Sequence, residues 1–552
     1  MASTIHNDSA VTRHARRANL KGKPLNFTRL LAHLAFAVIV LGLLASLLSA
    51  QVSTADIVGT VTDSSGAVIS GVKVTATNLS TGLPYTTVSN ASGDFIISQL
   101  QTGRYKITAE ATGFKLWTIP DIALAIGDRF RADAHLEIGT GQQSVEVTAE
   151  APAMQTDSAT VGTVVSQVQV EDLPIAGRNF ILMADLVPGT TNYQGNTYAG
   201  GNKDDQRRSG TIAANGRSGT ENNFNIDGVD NNERFVNTLV VRPSEEGVAE
   251  MRVLTNSFSA ELSRTSGAAV IFITKSGGNE FHGSAFEYLR NQLTDARAPN
   301  LAVGEAKPDY KQNNFGGSIG GPIKRNKTFY FFDWETFKGI QAVQCAAATC
   351  TPGPQLATVP TLAERTGNFA GQNQIFDLLT TVTNPTTGVS TRTPYPNNQI
   401  PMSEINPIAL RLINMYPDPT NSAANNNYSR NGDRVQTDNQ LDTRIDHRFS
   451  DNNNFFLRYS YGRTYTALPH VFPETADGFN PLGLPNNISG SNTGATGNSN
   501  ISTHGLAMVD TIILSPRMVL VVRAGYSRYN NLMQEQGYGT DPAVVPLTET
   551  NS

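Results

Sequence analysis

The stretch that decides the fold is Ala269-Val-Ile-Phe-Ile-Thr-Lys-Ser-Gly-Gly-Asn-Glu-Phe-His-Gly-Ser-Ala-Phe-Glu-Tyr-Leu-Arg290. Its first part, Val270 to Thr274, is β-branched and aromatic, which predicts a strand buried inside a globular domain. A glycine turn follows. From His282 to Leu289, side chains alternate between two differently built faces, which predicts a second strand. The stretch therefore predicts a boundary between a soluble part of the chain and a β-barrel.

Alternating segments of this second kind recur in pairs after the boundary. They are predicted as strands over 281–289, 315–323, 328–337, 441–449, 455–461, 504–514 and 519–529. Apolar residues on one face and charged residues on the other, such as Ile445 beside Arg444, suit a wall between lipid and a wet lumen. A soluble sheet also alternates. Here, however, short turns alternate with long links at 291–312, about 338–436 and about 464–502, as in outer-membrane barrels.

The N-terminus predicts export from the cytoplasm. Basic residues up to Arg29 lead into an apolar run from Leu30 to Leu48, and Ser49-Ala50 supplies small residues for cleavage. This pattern is typical of a signal peptide over residues 1–50, with an uncleaved anchor as the alternative because the run is nearly long enough to span a bilayer. The net charge of -5 and the lack of a basic stripe in the body of the chain argue against nucleic acid as the main partner.

The first mature domain is predicted to be a β-sandwich over residues 54–141. Short strands alternate with turn signals in this segment. The patterns Gly59-Thr-Val-Thr-Asp63, Gly93-Asp-Phe95 and Gly103-Arg-Tyr105 resemble the carboxypeptidase regulatory-like domain. The resemblance implies a non-catalytic, transthyretin-like sandwich.

No enzymatic site is predicted. Zinc carboxypeptidase chemistry needs imidazole and carboxylate ligands around an open coordination position. None of the eight histidines begins a His-x-x-Glu or His-Glu-x-x-His pattern. The sequence therefore predicts no catalytic, cofactor-binding or metal site.

Residues 151–278 contain three blocks that carry a second resemblance. They are Leu173-Pro-Ile-Ala-Gly-Arg-Asn-Phe180, Ala214-Asn-Gly-Arg-Ser-Gly-Thr-Glu-Asn-Asn-Phe-Asn-Ile-Asp-Gly-Val-Asp-Asn-Asn232 and Glu250-Met-Arg-Val-Leu-Thr-Asn-Ser-Phe-Ser-Ala-Glu-Leu-Ser-Arg264. These blocks resemble the plug of TonB-dependent outer-membrane receptors of the Oar-like kind, which carry a carboxypeptidase regulatory-like domain. The resemblance implies a small α+β plug inside a barrel.

Two local features of the plug carry their own predictions. Asp227-Gly228 after Phe224-Asn-Ile226 predicts a tight turn. A calcium loop is the alternative for the acidic residues of 227–233, but the spacing of such a loop and its distal glutamate are missing. The Gly- and Asn-rich run over 194–223 is predicted as a mobile loop.

The linker over 142–150 contains Gln143-Ser-Val-Glu-Val-Thr-Ala-Glu150 and resembles a TonB box. The residues concerned are Val145, Glu146, Val147, Thr148 and Ala149. An extended segment of this kind can add as a strand to the sheet of a periplasmic energy-coupling partner of the TonB type. The alternative is a plain linker or the last strand of the sandwich, and the sequence leaves both open.

Two cysteines, Cys345 and Cys350, lie close together in a long polar connection. After export they are predicted to form a small loop disulfide. The connections are rich in Asn, Thr, Gly, Tyr and Pro, which suits a polar or carbohydrate-like extracellular ligand, but no residue names that ligand.

The predicted fold is mainly β: an N-terminal β-sandwich, a small α+β plug and the first strands of an antiparallel transmembrane β-barrel over 280–552. Seven strands are too few to enclose a plug, so the chain is expected to be a C-terminally truncated fragment of a longer receptor. The predicted function is TonB-dependent uptake or export across the outer membrane of a Gram-negative bacterium, in contact with outer-membrane lipid. The alternative is a surface adhesion or structural protein that uses the sandwich as a binding module.

Overall fold

A computed structural model describes most of the chain after residue 53. The described residues are 54–139, 144–146, 160–173, 178–193, 211–234, 237–258, 262, 265–297, 307, 309–346, 349–352, 355–414, 416–430, 433–468, 497–515 and 518–534. The predicted signal peptide over 1–50 lies outside them. Among the described residues, no helix is both long and apolar enough to cross a bilayer.

The sandwich consists of two sheets packed around one apolar core. Its strands are β1 (Ala55–Asp63), β2 (Lys73–Asn78), β3 (Pro84–Val88), β4 (Asp94–Leu100), β5 (Gly103–Glu110), β6 (Leu116–Leu124), β7 (Arg129–Arg131), β8 (Ala134–Leu136) and β9 (Ser144–Glu146). One sheet pairs β1 with β4, β7 and β8, and the other has the order β3-β2-β5-β6-β9. Buried residues of the sandwich strands, including Ile57, Tyr105 and Trp117, fill the space between the sheets.

The plug is a small α+β unit that follows the sandwich. Its elements are β10 (Val161–Ser166), helix α1 (Gln167–Asp172), a 3₁₀ helix (Phe180–Leu186), β11 (Thr190–Tyr193), β12 (Thr211–Ala214), a 3₁₀ turn (Gly219–Glu221), β13 (Asn223–Ile226), β14 (Val229–Asp230), β15 (Val248–Asn256) and β16 (Ala269–Thr274). The main sheet has the order β10-β15-β16-β13-β14. Phe180 packs edge-on against Phe272 at 5.4 Å between ring centroids, in the centre of the core.

The predicted loop over 194–223 is wrong in its second half. Residues 211–214 form β12, which pairs with β11, and β13 begins at Asn223. The reason is that Ile212 and Ala214 are buried in the plug core, so a Gly- and Asn-rich composition did not prevent this segment from ordering. Residues 194–210 lie outside the described part.

The barrel wall is an antiparallel sheet of long strands. They are β17 (His282–Asn291), β18 (Tyr310–Lys324), β19 (Thr328–Ala346), β25 (Asp433–Ser450), β26 (Asn453–Leu468), β27 (Gly497–Ser515) and β28 (Met518–Gln534). They pair in this order, each with its neighbour in sequence. All seven predicted strands are therefore present, but most extend further than predicted toward the long connections.

The connection between β19 and β25 is folded. It contains β20 (Thr349–Pro352), β21 (Gln355–Ala357), β22 (Phe376–Thr383), β23 (Ser390–Pro394), β24 (Tyr428–Arg430), three 3₁₀ turns (Glu364–Thr366, Pro396–Asn398 and Met402–Glu404) and helix α2 (Pro407–Asn414). β20 pairs with β19, β21 with β24, and β22 with β23. A small cluster around Val359 and Tyr428 forms its own core.

Candidate functional site: the plug against the barrel wall

One face of β25 is polar and buried along its whole length. It consists of Arg434, Gln436, Asp438, Gln440, Asp442, Arg444, Asp446 and Arg448, each less than 9% exposed. The residues between them point the other way, and Ile445 and Phe449 are 40% and 60% exposed. The predicted alternation on this strand is therefore confirmed. Buried charges need partners, and the plug supplies several of them.

Asp227 is the centre of the first group of contacts between plug and wall. It occupies the predicted tight turn between β13 and β14, where both Asp227 and Gly228 have positive φ angles, 51° and 81°. Its carboxylate lies 2.7 Å from Nε of Arg458 and 3.5 Å from Nη1 of Arg444. The backbone N–H and the hydroxyl of Thr274 also donate to it, at 3.0 and 2.8 Å. A hairpin turn of the plug therefore places one anion between two buried cations of the wall.

The two arginines are themselves held by the wall. Arg444 forms an ion pair of 2.8 Å with Asp446 on the same strand, and its guanidinium lies 4.2 Å from the ring centroid of Phe456. Arg458 donates to the hydroxyl of Ser460 at 2.6 Å. These contacts hold both guanidinium groups in position beside the plug carboxylate.

A second group of contacts surrounds Arg178, in the block that resembles the plug family. Its side chain forms ion pairs with Glu245 at 3.0 Å and Glu246 at 3.2 Å, both in the plug. The guanidinium also lies over the rings of Phe286 and Tyr288 of β17, 4.2 and 5.1 Å from their centroids. Since both aromatic residues belong to the first wall strand, Arg178 joins the plug to the wall through cation–π contacts.

A third contact lies between these two groups. The backbone N–H of Ser244 in the plug donates to Asp442 of β25 at 3.3 Å. The Ser244 hydroxyl donates to Asp333 of β19. One plug residue thus provides hydrogen bonds to carboxylates on two neighbouring wall strands, both of which are buried.

The backbone of the wall also approaches the plug closely at Gly525 of β28, which lies against the plug hairpin. A Cβ atom on Gly525 of β28 would lie 2.2 Å from Cγ1 of Val229 in β14. No ordinary side chain fits at this distance, so glycine is required for the plug hairpin to lie against β28.

The sandwich contacts the glycine turn between the last plug strand and the first wall strand, Ser276-Gly-Gly-Asn279, which we call the hinge. The backbone N–H of Asn279 donates to the carbonyl of Ser80 at 3.0 Å, and its side-chain carbonyl accepts from the N–H of Asn326 in the turn between β18 and β19 at 2.8 Å. Arg448 donates to the carbonyl of Pro84 at 3.0 Å. The wall residue Phe329 is buried with the sandwich core. The sandwich therefore lies across the short-turn end of the wall, next to the hinge.

The sandwich also contacts the plug directly, through the loop after β6. Ile126 of this loop is fully buried among plug residues that include Leu254 and Ile271. Its backbone N–H donates to Glu250 at 2.8 Å, and Asp128 pairs with Arg252 at 3.3 Å. Burial raises the pKa of the Glu250 carboxyl to about 7, with Asp128 adding to the rise while the Ile126 N–H and Arg252 oppose it.

This shift predicts that the contact between sandwich and plug depends on pH. The docked pKa of Glu250 is about 7 and lies above its usual value of 4.5, so the undocked form binds fewer protons between these two values. Docking is expected to be strongest below pH 4.5 and to weaken as the pH rises to about 7. Hydrogen exchange at the Ile126 amide, corrected for its intrinsic rate, measures this. The Glu250→Gln variant should lose the pH dependence, and an unchanged slope in that variant would show that another group is responsible.

The predicted TonB box lies partly within the described residues. Val145 and Glu146 belong to β9, which pairs in parallel with β6 at the edge of the sandwich sheet, in the register Leu116 to Ser144 and Trp117 to Val145. The backbone of these residues therefore matches the alternative of a last sandwich strand. Val147, Thr148 and Ala149 lie outside the described residues.

The two cysteines are opposite each other on a hairpin. The backbones of Cys345 in β19 and Cys350 in β20 are register partners. Their side chains lie outside the described part, so the loop disulfide stays a prediction. A distance between paired strands falls within the range that a disulfide spans.

The calcium-loop alternative has no support from the contacts of the acidic residues. Asp227 pairs with the wall, and Asp230 accepts from the N–H of Asn232 at 3.0 Å and pairs with Arg234 at 2.9 Å. Across the residues that the structure describes, no group of three or more histidine, cysteine or carboxylate side chains is arranged to hold a metal ion.

The sequence did not identify Arg178, Arg444 and Arg458 as functional residues. Arg178 was visible inside a block resembling the plug family, and the other two were visible as inner-face charges of predicted strands. Nothing in the sequence indicates which plug residue meets which wall residue, because the partners are more than 200 residues apart for Asp227 and Arg444.

Comparison with known proteins defines the class. The chain matches the family described as outer membrane beta barrel domain over residues 273–551, and it belongs to this family. Residues 56–137 match the carboxypeptidase regulatory-like domain. The protein is thus an outer-membrane protein of Gram-negative bacteria with a regulatory-like domain before its barrel.

The relatives are more specific. The chain is 29% identical over 296 residues to the TonB-dependent transporter Oar of Myxococcus xanthus. The aligned region covers 51% of this chain and 26% of that protein. The match therefore spans about a quarter of the length of that relative.

Comparison with solved structures returns, among others, two outer-membrane proteins. The outer membrane transporter YddB from Escherichia coli has a TM-score of 0.40 at 11% identity, covering 67% of this chain and 39% of that one. The siderophore receptor PirA from Acinetobacter baumannii has a TM-score of 0.37 at 15% identity, covering 67% and 40%.

Proposed function

We propose that this protein acts as a TonB-dependent outer-membrane transporter, which moves an extracellular ligand past a plug by means of energy from a periplasmic TonB-type partner. The observation that carries the proposal is the seating of the plug. Asp227 lies between Arg444 and Arg458 on the buried face of the wall, and Arg178 and Ser244 add further polar contacts. The likeness to the transporter Oar supports the same function.

The polar nature of this interface suits a plug that must move. An apolar interface would hold the plug through burial alone and would expose apolar surface when the plug shifted. Ion pairs and hydrogen bonds can instead exchange their partners for water that enters the lumen. A pulling force from the periplasm could then displace part of the plug without exposing a large apolar surface.

The energy-coupling segment is proposed to be residues 143–149. The segment lies between the sandwich and the first plug strand, which begins at Val161, so a periplasmic partner that binds it can pull on the chain that leads into the plug. A strand added to the partner's sheet resists a pull through its main-chain hydrogen bonds. The ligand is proposed to be polar and carbohydrate-like, in keeping with the composition of the long connections. No catalytic activity is proposed.

The test replaces residues 143–149 by a Gly/Ser sequence of equal length in the receptor. We expect this variant to reach the outer membrane with normal heat-modifiable mobility. Its binding to the purified periplasmic domain of the TonB-type protein should fall at least tenfold, and transport should be lost with it. The same replacement at residues 151–157 is the control and should bind normally. Unchanged binding after replacement of 143–149 would refute the assignment of the segment.

A further inference from the structure

The edge of the sandwich sheet that ends in β9 takes no part in the contacts described so far. In the sheet order β3-β2-β5-β6-β9, β9 is the last strand. Leu116, Trp117 and Thr118 of β6 pair with Ser144, Val145 and Glu146 in parallel. Among the described strands, none pairs with the other edge of β9. Its outward backbone N–H and C=O groups form a template to which another strand can add.

The strand that holds β9 is itself firmly anchored. Trp117, Ile119, Ile122 and Leu124 of β6 are buried in the sandwich core, each 5% exposed or less. On its other side β6 pairs with β5, for example Ala109 with Trp117 and Ile107 with Ile119. Core burial and pairing with β5 both hold β6 in place, so the backbone of β9 is already extended where it pairs with β6.

Building on the proposed function, we infer that the sandwich is part of the docking site for the periplasmic energy-coupling protein. β6 holds β9 in place, and an edge strand of the partner adds to the free edge of β9. Sandwich and partner then share one continuous sheet. A strand that is already extended loses less conformational freedom on binding than a free segment, which favours association.

The same arrangement connects the docked partner to the plug. β6 continues into the loop that carries Ile126 and Asp128, and these residues contact Glu250 and Arg252 of β15 at 2.8 and 3.3 Å. A partner attached to β9 would therefore act on the plug through the sandwich as well as through the chain that follows β9. The alternative is that β9 must leave β6 before it can pair, in which case the sandwich competes with the partner.

A reversible cross-link distinguishes the two arrangements. Leu116→Cys and Ser144→Cys are introduced together into the receptor, with Cys345 and Cys350 changed to serine, because paired strands lie within disulfide range. The probe is the purified periplasmic domain of the TonB-type protein, and its affinity for the purified, detergent-solubilised protein is measured before and after reduction. Each single-cysteine variant controls for oxidation elsewhere.

We expect the disulfide to form and the oxidised receptor to bind the probe within about twofold of the same receptor after reduction. A tenfold or greater loss on oxidation, restored by reduction, would overturn the inference, because it would show that β9 must leave β6. Failure of the disulfide to form would overturn it too, since β6 and β9 would then not be paired. The Gly/Ser replacement of 143–149 separates the two proposals: normal binding by that variant refutes the coupling segment itself, whereas loss of binding there together with loss in the cross-linked receptor refutes only the shared sheet.

Discussion

Replacement of Asp227 by asparagine is expected to destabilise the seating of the plug by about 3–5 kcal/mol, the usual cost of leaving buried charges without their partner. Asparagine retains the size of the side chain and can still accept from Thr274. It removes the negative charge that lies 2.7 Å from Arg458 and 3.5 Å from Arg444. Arg444 keeps Asp446, so most of the loss should arise at Arg458. Protease sensitivity of the plug as a function of urea, measured on the folded protein, reports the change.

The control for this variant is Asp230→Asn in the same hairpin. Asp230 pairs with Arg234, but the two side chains are 37% and 68% exposed. Exposed pairs contribute about 0–1 kcal/mol, so the plug of this variant should resist protease almost as well as the wild type. Equal losses for Asp227→Asn and Asp230→Asn would mean that the pairing of the plug with the wall arginines contributes nothing to its seating.

Replacement of Ile445 by arginine is expected to block assembly of the barrel in the membrane. Ile445 lies on the outward face of β25, beside Tyr330 of β19 and Leu457 of β26 in the register of the wall. If this face meets lipid, a charge near the bilayer centre costs about 2–4 kcal/mol. The fraction of the protein that shows heat-modifiable mobility in outer-membrane fractions measures assembly.

Thr437→Arg is the matched control, because Thr437 lies on the same face of β25 but nearer to the long connections. Its register partner on β19 is Lys338, so a positive charge already occurs at this level of the wall. Near the membrane boundary the cost of a charge falls to about 0–1 kcal/mol, and assembly should be close to normal. Normal assembly of Ile445→Arg as well would contradict a lipid-facing surface at that position.

The wall could be predicted from the sequence where one face is apolar and the other charged. On β25, the alternation of Ile445 with Arg444 and Asp446 predicted both the strand and its two faces, because a period of two is a local property of the chain. The alternation of apolar with charged residues weakens in the part of β25 that precedes Leu441, because the outward residues Thr437 and Asn439 are polar. The prediction therefore began at residue 441, whereas β25 begins at Asp433. Strand ends that extend beyond the lipid-facing band have few outward apolar residues, so the alternation that predicts a strand is missing there.

The contacts of the candidate site could be predicted only in part. Asp227-Gly228 was recognisable as a tight turn because the positive φ angles needed there favour these residues. Its pairing with Arg444 and Arg458 depends on how the plug is placed against the wall, and no local pattern contains that information. The position of β9 beside β6 has the same origin: Ser144–Glu146 is compatible with a free segment or an edge strand, and only the tertiary fold decides between them.

The central claim is that the outward face of the wall meets lipid while the inward face encloses the plug. The most direct test uses the protein reconstituted in bilayers, with single spin labels on β25 at Gln440, Leu441, Thr443 and Ile445. It measures the collision rates of the labels with oxygen, which concentrates in lipid. Gln440 is buried on the inward face, and the other three lie on the outward face. We predict high oxygen accessibility at Leu441, Thr443 and Ile445 and low accessibility at Gln440. Equal accessibility at all four positions would contradict the claim.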